Sequence, residues 1–341
     1  MIKILNSSSQ MWNYYIEKLP IVLRDIYFKS EYYKLYENGN DKIAKIFVFE
    51  DKKNLAVYPF LMNKIKGYDL KEEYYDIETA YGYGGPILNT TNEKFIENFE
   101  KAFRKFCSEN NIIAEFIRFH PLLNNYSIFI DGINVYHNRT TTYIDLRNSI
   151  DDIWKKDITS KNRNVIRKAK KLGLTTEICF DLNEFKKIYI KTMNRLNADK
   201  RYYFGDNYFN DLMNLNHICI SIKFNNITIA SAIFLQGNDF FNYHLSGSLK
   251  EYLKYCPNNL LLWEAIKYAK DIGFSKFHFG GGLSDSLDDT LYKFKKSFCR
   301  YTSDFYVGTR IHNKEIYNYL INKWENKNKK KSKLFLQYKE I

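Results

Sequence analysis

Between positions 155 and 171 stand eight basic residues (Lys155, Lys156, Lys161, Arg163, Arg167, Lys168, Lys170 and Lys171) and one acid, Asp157. Val165, Ile166, Ala169 and Leu172 recur among them at helical spacing, which predicts a helix with one apolar face and cations on the other. Arg163, Arg167, Lys168 and Lys171 would then offer a platform for the phosphates of a tRNA acceptor stem or a diphosphate; a solvated helix face reads the same way. A further cation, Lys295, lies in Phe294-Lys295-Lys296-Ser297-Phe298, shortly after Gly280-Gly281-Gly282. Phe294 and Phe298 are four apart and anchor one helix face, holding Lys295 near the glycine turn. A cation fixed there could steady a developing oxyanion. His244 and His278 fall on two expected strands, and either could take a proton from an attacking amine. A core-edge histidine bonded to its neighbours is the plainer reading of each. Alternation would put His244 on one face with Asn242 and Ser246. Arg195 follows Lys191 by one helical turn. Tyr81 and Tyr83 alternate with glycines, a pattern that suits a sugar or peptide stem and also plain sheet packing.

Several chemistries are excluded. The five cysteines (Cys107, Cys179, Cys219, Cys256 and Cys299) are far apart with no CxxC pair, so free thiols are expected rather than a disulfide framework or a zinc site. No metal site is expected. No GxSxG nucleophile elbow exists. No stretch reaches the roughly 18 apolar residues of a membrane helix, and the start lacks a secretory core; a cytoplasmic location is expected. The net charge of +13 favours a polyanionic partner (nucleic acid, nucleotide-linked substrate or anionic membrane surface), although a lysine-rich proteome gives the same sign.

The elements that must position these residues occur twice. Residues 43–62 and 217–236 each read as a strand, a polar turn and a second strand, and Ala56 laid on Ala230 also matches Phe60 to Phe234 and Leu61 to Leu235 without a gap. Each hairpin leads to an aromatic, glycine-containing strand (81–89 and 240–248), an apolar-periodic helix (92–110 and 258–272) and a short strand (112–121 and 274–282). The strand 140–146 is expected to close the first half. This order predicts an α/β fold of two tandem GNAT-like domains, of the acyl-CoA N-acyltransferase type, with mixed sheets and splayed central strands. The boundaries would be 1–148 and 149–311, with a C-terminal helix and basic tail, 312–341, packing back on the first domain.

Three features together resemble the Fem-type aminoacyltransferases of peptidoglycan bridge synthesis, over about residues 20–310. They are the basic helix 161–174, the helix 185–204 with Thr192 three residues before Arg195, and the FHFGGG turn followed by LYKFKKSF. The resemblance implies a tandem GNAT-like fold and amide formation between an activated aminoacyl group and an amine of a cell-wall or surface-polysaccharide precursor. It implies no tightly bound cofactor, aminoacyl-tRNA as co-substrate, and a lipid- or nucleotide-linked acceptor reached from the cytoplasmic side, with the protein peripheral at the inner membrane surface. Carried over position by position, Arg195 with Thr192 would hold the acceptor's diphosphate, and Lys295 after Phe294 would stabilise the reacting ester beside Gly280, Gly281 and Gly282. Two departures stand out: no coiled-coil arm interrupts 149–210, and Asn89 follows Gly85-Pro86-Ile87-Leu88 where members tend to carry an acid. An acyl-CoA or acyl-carrier donor acting on an amino sugar is the rival enzyme reading, but 248–259 lacks the glycines of the usual pyrophosphate loop. A non-catalytic RNA- or glycan-binding relative is the third.

Overall fold

The computed structural model describes residues 1–128 and 132–340. Along the chain come β1 (Ile2–Asn6), α1 (Met11–Glu17), α2 (Ser30–Lys34), β2 (Lys42–Asp51), β3 (Asn54–Lys64), β4 (Tyr75–Glu78), β5 (Ile87–Leu88), α3 (Glu93–Glu109), β6 (Ile112–Arg118) and β7 (Asn134–Asp145). Then follow α4 (Ile150–Asp152), α5 (Ser160–Lys171), β8 (Thr175–Cys179), α6 (Asn183–Leu196), α7 (Asp206–Leu212), β9 (His217–Phe224), β10 (Ile227–Gln236) and β11 (Phe240–Ser248). The last elements are α8 (Pro257–Ile272), β12 (Lys276–Gly281), α9 (Thr290–Lys296), β13 (Tyr301–Ile311) and α10 (Lys314–Asn328). Two compact units result: Met1–Asn138 with Phe305–Ile341, and Arg139–Asp304.

In the first unit the strand order is β1-β2-β3-β4-β6-β13, with β5 also on β3. Asn92 caps α3 by accepting from the Phe95 amide, and Phe95, Phe99, Phe103 and Phe106 bury one face of that helix against Phe47, Tyr58 and Phe60. The C-terminal segment packs here: Leu320, Trp324 and Tyr338 cover Ile113 and Ala114, and Lys339 bonds Asp76 and Glu78 at 3.2 and 2.9 Å. The second unit has the order β7-β12-β11-β10-β9-β8. Nearly all of β10 is buried, because α5 and α8 cover one of its faces and α6 the other. Gly247 admits α6 closely, since a Cβ there would lie 2.9 Å from the Tyr189 backbone.

On one side of each central strand the pairing follows the sequence repeat. Ala56 pairs with Leu88 and Leu61 with Glu78; Ala230 pairs with Ser248 and Leu235 with Asn242. Glu78 therefore corresponds to Asn242. The strand expected at 81–89 is in fact split: β4 and β5 are its two ends, and 79–86 loops out between them, where β11 runs unbroken. A second difference concerns closure. Residues 141–145 of β7 pair with β12, and residues 307–311 of β13 pair with β6. The strand read as closing the first half thus belongs to the second sheet, and the chain's last strand closes the first. Both are amphipathic strands of similar length, so composition alone does not say which sheet edge each one joins.

Candidate active site

In the second unit β11 and β12 are parallel only over Phe240–Asn242 and Lys276–His278. Beyond that point they part, and Gly280 and Gly281 pair toward β7 instead. The matching gap in the first unit is closed by its own chain. The Gly84 amide donates to the Arg118 carbonyl at 2.7 Å, the Arg118 amide donates to Thr79 Oγ1 at 2.9 Å, and Asn125 donates to the Gly84 and Pro86 carbonyls. Asn89, where an acid was looked for, accepts from the Leu55 amide at 2.8 Å and donates to the Lys53 carbonyl at 3.1 Å. It fastens the β2–β3 hairpin.

Phe241, Phe277 and Phe279 point into the core under α8, with Tyr243 packed against it, so Asn242 and His278 face the other way, toward α6. A β-bulge follows: Phe234 pairs with Tyr243 but Ile233 with Leu245, leaving His244 as the extra residue. That reverses the alternation. Ser246, opposite Ala232, therefore returns to the Tyr243 face and does not share one with His244. His244 Nε2 lies 2.6 Å from the Tyr208 hydroxyl of α7, and burial pushes its pKa down to about 3, so the imidazole is neutral at any physiological pH. His278, fully buried, sits 3.0 Å from Thr141 Oγ1.

Lys295 occupies the opposite face. Asp289 caps its helix by accepting from the Tyr292 amide and also accepts from the Leu283 and Ser284 amides, which shapes the loop after the glycines. The Lys295 ammonium is buried, donates to the Gly281 carbonyl at 2.7 Å and lies 5.6 Å from the Tyr243 ring centre. Burial first, and then the charge of Arg139, lower its pKa to about 8. Arg139, which sequence reasoning missed, donates to the Gly282 carbonyl at 2.7 Å. Gly280 has φ +75°, a conformation that glycine adopts without strain, where the strand leaves β11 but stays paired with β7. Lys295, Gly280, Gly281, Gly282 and Phe294 are thus brought together. His244 and His278 lie across the sheet from them.

Arg195 ends α6. Its Nε and Nη1 are buried and make no hydrogen bond among the described residues. Thr192 is committed elsewhere: its hydroxyl donates to the Ile188 carbonyl at 2.8 Å and accepts from the Ser248 amide at 2.9 Å, pinning α6 to β11. Its donor is thus engaged within the fold, one turn before Arg195. Among the basic residues, Arg163 spans the carbonyls of Trp154, Lys155 and Ile158 left open by the π-helical turn Ile153–Asp157. That role is structural, which the spacing alone concealed. Arg167 lies over Trp154, 5.3 Å from the ring, and Lys168 and Lys171 are exposed. In the first unit, Tyr81 is exposed with its carbonyl bonded by Tyr32. Tyr83 packs edge-on against Tyr27 and Phe305.

Ligand atoms of Cys107, Glu115 and His312 lie within 4.8 Å of one another in the first unit. Burial works against the Glu115 carboxylate, but Arg310 and a hydrogen bond from His312 hold it ionised. Glu115 is thus paired with Arg310 and His312, and burial keeps the Cys107 thiol protonated.

Residues 216–312, which carry the open splay, the glycine turn and Lys295, match the model of the FemAB family. That part of the chain is similar to the FemAB family. No curated protein matches it in sequence. Among solved structures, FemX superposes with a TM-score of 0.68 at 15% identity, over 93% of this chain and 99% of FemX. L-PGS from Bacillus licheniformis gives 0.56 at 13% identity, over 89% of this chain and 92% of that one. A tandem GNAT protein from the clavulanic acid biosynthesis pathway gives 0.53 at 6%, over 92% and 99%. The chain therefore has the tandem GNAT-like α/β fold. Among the described residues no helix is long and apolar enough to cross a membrane.

Proposed function

We propose that the protein is an aminoacyltransferase that joins an aminoacyl group, carried by aminoacyl-tRNA, to an amine of a cell-envelope precursor. The observation that carries this reading is Lys295, a buried ammonium held on the Gly281 carbonyl where the two central strands part. The acceptor amine, uncharged, attacks the ester carbonyl from the α6 face. Lys295, on the other face, stabilises the negative charge that develops on oxygen as the ribose hydroxyl leaves. An ester of this kind is already activated, so the remaining task is alignment and exclusion of water. Arg195 holds an anionic group of the acceptor, a lipid- or nucleotide-linked diphosphate. The Fem-type match and the likeness to FemX support envelope chemistry over other acyl transfers. The turn 250–255 and Pro257 at the start of α8 support an ester donor over a coenzyme A thioester, whose pyrophosphate would need the amides of a glycine-rich loop.

Arg167, Lys168 and Lys171 are the cations of α5 proposed here to meet tRNA phosphates. Their triple alanine variant is expected to bind tRNA more weakly and to flatten the plot of log affinity against log salt by up to about 2–3 units, at ~0.9 per phosphate contact. Fluorescence titrations between low and moderate salt measure this. Arg163 is left intact because its loss would unfold the turn it bridges. Tight coenzyme A binding with no tRNA binding at low salt would replace this reading by the acyl-CoA one.

A further inference from the structure

β8 is the edge strand of the second sheet, and its antiparallel register on β9 sets Cys179 directly opposite Cys219. Residues so opposed point to the same face with Cβ atoms about 4.5–5.5 Å apart, close to the roughly 3.5–4.5 Å that a disulfide spans. A hydrogen bond from Cys219 lowers the pKa of the Cys179 thiol, whose sulfur also lies 3.5 Å from the Asp181 carbonyl. Their surroundings differ. Cys219 is 1% exposed, 3.0 Å from Ser231 Oγ, which in turn lies 2.9 Å from Ser221 Oγ. Cys179 is half-buried at the end of the edge strand, beside the exposed Phe180. Reactive and resolving thiols in redox-active pairs have this asymmetry of access.

We propose that Cys179 and Cys219 are a redox site, in which a peroxide oxidises the pair to a cross-strand disulfide. The Cys179 thiolate attacks one peroxide oxygen, the O–O bond breaks, and hydroxide leaves to become water, giving a sulfenic acid. The Cys219 sulfur then attacks that sulfur, the S–O bond breaks, and the departing hydroxide takes the Cys219 proton as a second water. Two thiols lose two electrons and one peroxide gains them. β8 joins α5 to α6, so the bond fastens to the sheet the strand between the basic helix and the helix bearing Arg195. In a reducing compartment such a bond is a switch, opened again by a dithiol.

The test uses the full-length reduced protein, treated with a small excess of hydrogen peroxide, alkylated and digested without reductant for mass spectrometry. The expected main product is a peptide pair joined through Cys179 and Cys219, absent after dithiothreitol, with a thermal midpoint raised by several degrees. In Cys219→Ser, dimedone is expected to trap a sulfenic acid on Cys179, and in Cys179→Ser the Cys219 thiol is expected to stay reduced. Mapping the wild-type chain decides the matter even where a variant folds poorly. Oxidation confined to Cys256, a disulfide joining two chains, or Cys179 passing to sulfinic acid while Cys219 stays alkylatable would each overturn the proposal.

Discussion

Replacing Lys295 by methionine is expected to lower turnover by about 100-fold or more, the usual effect of losing one oxyanion-stabilising contact, while leaving the fold as stable as before or more so. The two halves of that expectation share one cause. The ammonium is buried, and its pKa falls to about 8, so the protein spends free energy to keep a charge there. The folded chain releases this proton near pH 8 and the unfolded chain near pH 10.4. Between those values the unfolded state binds more protons, so stability contributed by this group rises with pH across that window and is flat below it. Methionine fills the same volume without charge, and its variant should lack that rise. Activity moves the other way: if the cation is what matters, turnover of the wild type falls as pH climbs through about 8. Lys296, whose ammonium caps the Arg300 carbonyl at 2.6 Å, is the control, and Lys296→Met is expected to change turnover little. Equal, mild losses from both variants would make Lys295 a structural lysine.

Arg195→Ala is expected to raise the KM for the acceptor by roughly 10- to 100-fold, the equivalent of about 1.5–3 kcal/mol for charge-assisted hydrogen bonds. Turnover at saturation and the unfolding midpoint should barely change. In the free protein Nε and Nη1 have no partner among the described residues, so removing them sacrifices no internal bond. Arg195→Lys is expected not to restore affinity, because a single ammonium does not reproduce the two-pronged contact. A lowered midpoint with an unchanged KM would mean that the guanidinium serves packing alone.

Much of this arrangement was legible in the amino-acid sequence. The ungapped match of Ala56 to Ala230 survives in the order of strands around each central strand, although the hairpin ladders differ by one residue, Ala56 pairing with Phe49 and Ala230 with Ile222 beyond a β-bulge. Phe294 and Phe298 did place Lys295 at the glycine turn, since helical spacing and local anchoring are both short-range. What escaped was non-local. The bulge at His244 appears only once β10 and β11 are paired, and it moves Ser246 to the opposite face. Arg163 looked like its cationic neighbours until the π-helical turn exposed carbonyls for it to bridge. The Thr192 hydroxyl is held between the Ile188 carbonyl and the Ser248 amide, a cross-element tie that spacing from Arg195 does not show. Arg139 is distant in sequence from everything it touches around Gly282.

The central claim is that the open splay transfers an aminoacyl group from tRNA to an envelope amine. Purified protein, a mixture of tRNAs charged with radiolabelled amino acids, and extracted lipid- and nucleotide-linked precursors test it in one incubation. The predicted result is label moving onto a precursor in an alkali-stable amide, abolished by ribonuclease treatment of the donor and lost in Lys295→Met. Label that moves only when the tRNA is replaced by acyl-coenzyme A, or moves equally with Lys295→Met, would contradict it.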